Sequence, residues 1–252
     1  MIGSRSLSAS LPRTGALPWL AALFVALTLF MGQAAPLFEW LLPGLDNPVY
    51  DRHSFPDLVL DHVVLVAASS LISVFIGVSA GIFATRPVGQ EFKPVISAVS
   101  AIGQTFPPAA VLAVVAPLAG FGFKPALVAL ALYGLLPIVQ NTMAGLETVP
   151  SATLEAARGM GLSKREILTR VELPLAMRVI TAGIRVSVIV NIGTATIAST
   201  VGARSLGTPI ISGLVSQNVA YVLQGAILVA LLAIVTDLFF ERLERFFSVD
   251  RN

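Results

Sequence analysis

The chain has 252 residues, of which 56% are hydrophobic and only 12% charged, and its mean hydropathy is +0.86. A soluble domain carries about 25% charged residues, so this composition points to a membrane protein. A formal net charge of +2, scattered along the chain, excludes a nucleic-acid surface; the lack of cysteine excludes disulfides, thiolate metal sites and cysteine catalysis.

Residues 1–15 are small and polar, with Arg5 and Arg13 and no acid. Leu17 to Met31 is an apolar run with Trp19 near its start. Gln33-Ala34-Ala35 is similar to a signal cleavage site, but apolar character resumes from Pro36 to Leu42. The run therefore reads as an uncleaved first membrane helix in preference to a signal peptide. Glu39, Asp46, Asp51, Asp57 and Asp61 then make an acidic segment offset by Arg52, and Pro43, Gly44, Asn47, Pro48 and Pro56 mark it as loop. His53 and His62 lie near a membrane entry and read as surface or interfacial residues rather than metal ligands.

His62 to Thr85 is predicted as the second membrane helix. Ser69, Ser73, Gly77 and Gly81 recur on one face of it, and small residues at that spacing let another helix approach closely. Arg86 to Lys93 is a charged turn. Pro94 to Leu118 is predicted as a third helix interrupted at Pro107-Pro108, which frees the carbonyls of Gly103 and Gln104. In lipid such groups survive only where protein or water satisfies them. Two readings stay open: Gln104, Thr105 and Pro107 face a cavity, or the helix has a plain kink. Residues 126–146 form a fourth helix, in which Pro137 frees the carbonyl of Tyr133; Tyr133, Pro137, Gln140 and Asn141 share a face.

Pro150 to Ala176 is the one long polar island in an apolar sequence. Ser151 can cap a short helix, Gly159 or Gly161 can stop it, and Ser163 with Glu166 forms a capping box that starts a second helix at Lys164. Pro174 restricts the backbone just before the next apolar run. Met177 to Gly202 is predicted as the fifth helix. Its Ser187, Asn191, Thr194 and Ala198 align as a small polar stripe, suited to a subunit interface, a translocation path or simple interhelical hydrogen bonding. Arg185, about two turns inside, is expected to snorkel to the inner surface. Ala203 to Asn218 is an outer segment, and Val219 to Phe240 the sixth helix.

Six helices with an inner N-terminus place 1–15, 86–93, 150–178 and 241–252 on the inside. Those segments hold twelve Lys or Arg, against Arg52, Lys124 and Arg204 outside. That asymmetry obeys the positive-inside rule and puts the polar island in the cytoplasm.

The island also carries a resemblance. Glu155-Ala156-Ala157, Gly161 and Val171-Glu172-Leu173-Pro174 stand at the spacing of the EAA loop of permease subunits of binding-protein-dependent ABC importers, with Val171 where that family usually has Ile. Gln104-Thr105-Phe106-Pro107, Tyr133-Gly134-Leu135-Leu136-Pro137-Ile138, Asn141-Thr142 and Asn191-Ile192-Gly193-Thr194-Ala195-Thr196-Ile197-Ala198 resemble the osmoprotectant branch, which imports glycine betaine, choline, carnitine or related quaternary amines. The resemblance spans about residues 58–240. It departs at Gly202-Ala203-Arg204-Ser205-Leu206-Gly207, where relatives usually show Gly-Ala-Gly-Gly-Leu-Gly. Arg204 adds a cation near the outer end, which disfavours a cationic substrate such as choline more than a zwitterion such as betaine.

The resemblance implies an all-α integral membrane protein of the type I ABC importer (MetI-like) fold. Residues 1–57 would form an N-terminal membrane helix and acidic periplasmic segment, 58–240 the permease domain, and 241–252 a cytoplasmic tail. It implies a multi-pass subunit of the bacterial inner membrane, not itself an enzyme, with both termini cytoplasmic. Partners would be two copies of an ABC ATPase, a second permease of the same or another kind, a periplasmic or lipid-anchored substrate-binding protein and membrane lipid. The sequence has no G-x-x-x-x-G-K-[ST] loop, so ATP and Mg²⁺ would bind the ATPase and no cofactor this chain. Glu155, Ala156, Ala157, Gly161, Leu173 and Pro174 are the coupling candidates. Gln104, Tyr133, Asn141, Asn191 and Thr194 are the pathway candidates. Two alternatives stay open: an ABC permease for another solute, such as an amino acid, nitrate or sulfonate, and a stand-alone secondary carrier. The second is disfavoured because the sequence shows no membrane-embedded carboxylate or histidine of the kind proton-coupled carriers use.

Overall fold

The computed structural model describes residues 13–249; Arg5, Asp250 and Arg251 lie outside the described residues. All regular structure in the described residues is helical. Ten helices follow in order: α1 Leu17–Phe30, α2 Ala35–Leu41, α3 Phe55–Ala84, α4 Lys93–Thr105, α5 Pro108–Ala119, α6 Phe123–Glu147, α7 Ser151–Gly159, α8 Lys164–Thr194, α9 Gly207–Ser216 and α10 Val219–Val249. Four of them, α3, α6, α8 and α10, are long and apolar enough to cross a membrane. Counting each bent pair, α1 with α2 and α4 with α5, as one span brings the number to six.

Helix α6 lies at the centre. In its most apolar window 56% of residues are buried, against 33% or less in the other three long helices. It meets α3 along the small-residue stripe, as expected. A Cβ on Gly77 would stand 2.8 Å from Ile138, and one on Gly81 2.6 Å from Thr142. Ser73 Oγ donates to the Ala131 carbonyl of α6 at 2.7 Å, so the stripe supplies a hydrogen bond as well as room. On its other side α6 packs against α8, with Leu146 against Ala176 and Ile180. Leu65, Val66, Leu112, Ala126, Leu130 and Ile192 make the largest core, joining α3, α5, α6 and α8.

Several boundaries differ from expectation. Helix α3 begins seven residues before His62. Ser54 caps it, its Oγ accepting from the Asp57 N–H at 3.3 Å, and Pro56 sits in the first turn, where its missing N–H costs nothing. The run 36–42 joins the first span only across a bend: α2 turns 83° from the α1 segment. The acidic loop after α2 is tied down by α10. Gln224, fully buried, donates to the Pro48 carbonyl at 2.7 Å and accepts from the Tyr50 N–H at 3.0 Å. Helix α8 runs unbroken through Pro174. A wide turn at Leu168–Glu172, with the Leu173 N–H on the Leu168 carbonyl, comes first. Pro174 therefore falls in the first turn of the regular segment that follows.

His62 is also not interfacial. It is fully buried, and its Nδ1 accepts from the Leu206 N–H at 3.3 Å. Arg185 is held by two carboxylates of α10. Its Nε donates to Asp237 at 2.6 Å and its guanidinium reaches Glu244 at 3.4 Å, so α8 and α10 clasp each other. A carboxylate inside the sixth hydrophobic segment is thus present, as the counter-ion of an arginine.

Candidate functional site

The polar island is a helix–turn–helix. Ser151 is the first residue of α7 rather than its cap, and Pro150, extended at ψ 135°, precedes it. The stop is Gly161, at φ +81°. Its N–H meets the Arg158 carbonyl at 2.9 Å and the Leu162 N–H meets Ala157 at 3.2 Å, a Schellman ending that needs the left-handed residue. Gly159 stays inside the helix. Ser163 and Glu166 then form the expected capping box: Ser163 Oγ accepts from the Glu166 N–H at 3.3 Å, and Glu166 Oε2 accepts from the Ser163 N–H at 3.0 Å.

Exposure sorts the coupling candidates. Glu155, Ala156, Gly161 and Pro174 are exposed, and Leu173 is half-buried. Ala157 is 2% exposed and packs within the chain, so of the alanine pair Ala156 alone is left for an outside partner. Met160, just before Gly161, is 73% exposed. The far end of the island is anchored by a pair that sequence reading missed. Glu172 is buried, and Arg86, two residues past the end of α3, donates to its Oε2 at 2.7 Å. A carboxylate amid apolar neighbours was the available signal, but nothing local named a partner 86 positions away.

The pathway candidates fall into two groups. Gln104 and Tyr133 come together at the α4–α5 break, where the helices turn by 93°, far more than a kink. Phe106 and Pro107 are extended there, at ψ 138° and 137°. Gln104 Nε2 donates to the Tyr133 carbonyl at 3.0 Å, and the Tyr133 hydroxyl donates to the Phe106 carbonyl. Asn141, one turn beyond Pro137, donates to the Pro137 carbonyl at 2.8 Å. Asn191 stands apart, wholly buried, with its Nδ2 on Ser70 Oγ at 3.3 Å. Ser187, Asn191 and Ala198 of the small polar stripe are all buried inside the chain; for them interhelical packing is the reading the contacts support. Thr194 remains half-buried.

Just before α9, Arg204 pairs with Asp61 of α3 at 3.1 Å. Its charge is therefore offset by its neighbour rather than presented alone.

The model of a family described as binding-protein-dependent transport system inner membrane component matches residues 73–249. The osmoprotectant import permease protein OsmY of Salmonella typhimurium is 40% identical over 176 residues, covering 70% of this chain and 75% of that protein. The choline transport system permease protein OpuBB of Bacillus subtilis is 41% identical over 177 residues, covering 70% and 81%. The carnitine transport permease protein OpuCB of Listeria monocytogenes is 39% identical over 184 residues, covering 73% and 83%. Among solved structures, the MetNI methionine ABC transporter in inward facing conformations matches with a TM-score of 0.68 at 21% identity, covering 76% of this chain and 95% of that chain. An amino acid ABC transporter with histidines matches at 0.60 and 20% identity, covering 87% and 96%. Likeness at that identity shows a shared fold.

Proposed function

This chain belongs to the family of binding-protein-dependent transport system inner membrane components, and on that premise we propose that it is the subunit through which a quaternary-amine osmoprotectant crosses the bacterial inner membrane. The observation that carries the substrate class is the agreement of the relatives: at 39–41% identity, those named above are osmoprotectant, choline and carnitine permeases. The Arg204–Asp61 pair supports including cationic choline beside zwitterionic betaine and carnitine, because a paired guanidinium projects little net charge.

The energy comes from a separate ATPase pair. Helix α7 and its glycine stop dock in a groove of that ATPase, with Glu155 and Ala156 outward and Gly161 setting the turn. Leu173 and Pro174 carry the motion into α8, which runs without interruption from the loop to Thr194. A second permease completes the pore, and a binding protein delivers solute from outside. ATP binding draws the loops together and opens the helices outward; hydrolysis resets them. Both termini lie in the cytoplasm.

The test is uptake of labelled glycine betaine, choline, carnitine, histidine and methionine by cells lacking other such systems and expressing this chain with its ATPase and binding protein. Accumulation of the quaternary amines, and not of the amino acids, is expected. Accumulation of an amino acid alone would assign the chain to another substrate class.

A further inference from the structure

We propose that Gln104 and Tyr133 are positioning residues, which buckle the right-angle break of α4 and α5 to the central helix α6 by closing two backbone carbonyls that prolines leave open. The first carbonyl is that of Tyr133. Its helical donor would be the N–H of residue 137, and Pro137 has none. Gln104 Nε2 fills the vacancy at 3.0 Å. The second is that of Phe106. In an unbroken helix the Ala110 N–H would serve it, but that N–H is spent on Pro107 at 2.9 Å. The Tyr133 hydroxyl serves it instead.

The two bonds run in opposite directions between the same two segments. Tyr133 is acceptor in one through its backbone and donor in the other through its side chain. Gly103 lets the segments meet, since a Cβ there would stand 2.7 Å from the Leu132 carbonyl. Tyr133 lies in a helix long and apolar enough to cross a membrane and Phe106 at the break of a bent apolar pair, so in lipid an unmade hydrogen bond at either would not be replaced by water at no cost. The buckle therefore fixes the 93° turn and with it the exposed Thr105 and Phe106 at the corner. Gln104 is committed to a carbonyl and Tyr133 is 8% exposed, so both act on the solute through the corner they hold rather than by touching it.

Pro137 makes the inference testable, because replacing it restores the missing donor. The experiment compares wild type, Gln104→Leu, Pro137→Ala, the double variant and Tyr133→Phe in the full transporter. It reads glycine betaine uptake per assembled complex and the melting temperature of the detergent-purified complex. Only the uptake readout rests on the proposed function, and a failure of that function would show as no uptake by wild type. Gln104→Leu should lower uptake at least about fivefold and lower the melting temperature. In the Pro137→Ala background the same change should cost less than about twofold, with no further loss of melting temperature. Tyr133→Phe should be defective in either background, since Pro137→Ala does nothing for Phe106. If Gln104→Leu does not assemble, Pro137→Ala must restore assembly. Equal cost of Gln104→Leu in both backgrounds, or normal behaviour of Tyr133→Phe, overturns the proposal.

Discussion

Gly134 on α6 sits between Ser73 of α3 and Ser187 of α8, and replacing it with alanine is the sharpest test of that packing. A Cβ there would stand 2.6 Å from Ser187 Oγ, 2.6 Å from Ser73 Oγ and 3.0 Å from Ser73 Cβ. Both serines are fully buried, so neither can swing into open space. Ser73 Oγ is also committed, to Ala131 at 2.7 Å and Ser69 at 2.9 Å. Turning it away would forfeit about 1 kcal/mol of hydrogen bonding. Overpacking adds about 1–3 kcal/mol. Alanine's better helix propensity returns about 1 kcal/mol, leaving a net loss of about 1–3 kcal/mol. Gly193 in α8 is the control: a Cβ there meets nothing within 4 Å, so Gly193→Ala keeps the propensity gain without the clash. The assay is the thermal loss of the monodisperse peak of the purified complex. Gly134→Ala should melt several degrees below Gly193→Ala, and equal melting would refute the three-helix contact.

Two further predictions concern ion pairs. Arg86→Ala should cost about 2–3 kcal/mol, because it strands the buried Glu172 carboxylate, whereas Glu172→Gln should cost less by keeping an acceptor and removing the charge; equal losses in the same melting assay would refute the charge argument. Replacing the Arg204–Asp61 pair together, Asp61→Asn with Arg204→Gln, conserves net charge and should leave the choline-to-betaine uptake ratio within about twofold of wild type. A tenfold rise would show that Arg204 acts on the solute by itself.

What could be read from the sequence was what local chemistry dictates. The capping box at Ser163, the small-residue face of α3 and the carbonyl freed by Pro137 are each set by residues within a turn or two. The start of α3 was missed because three prolines and a glycine made the segment before it look like loop throughout, although Ser54 and Asp57 carried a cap signal. The corner at Pro107 was underestimated: two adjacent prolines specify a break, but its angle is set by Gln104 and Tyr133 acting across 27 to 29 positions. Pro174 was overestimated, since a wide turn just before it lets the helix continue. The long-range pairs Arg86–Glu172, Arg185–Asp237 and Arg204–Asp61, and the His62–Leu206 bond, left no local trace. Each charge was visible, yet its partner lies on a helix that only the packing brings near.

In the proposed mechanism this chain moves solute with energy passed to it through the α7–α8 turn. The direct measurement is glycine betaine uptake and ATP hydrolysis, side by side, in proteoliposomes holding this chain, its ATPase and its binding protein. Wild type should accumulate betaine only while ATP is hydrolysed. Gly161→Val places a β-branched residue at φ +81°, costing about 1–2 kcal/mol locally and distorting the turn. It should leave the complex assembled and hydrolysing ATP while uptake falls to background. Uptake by this chain without ATPase or ATP, or undiminished uptake by Gly161→Val, would contradict the account.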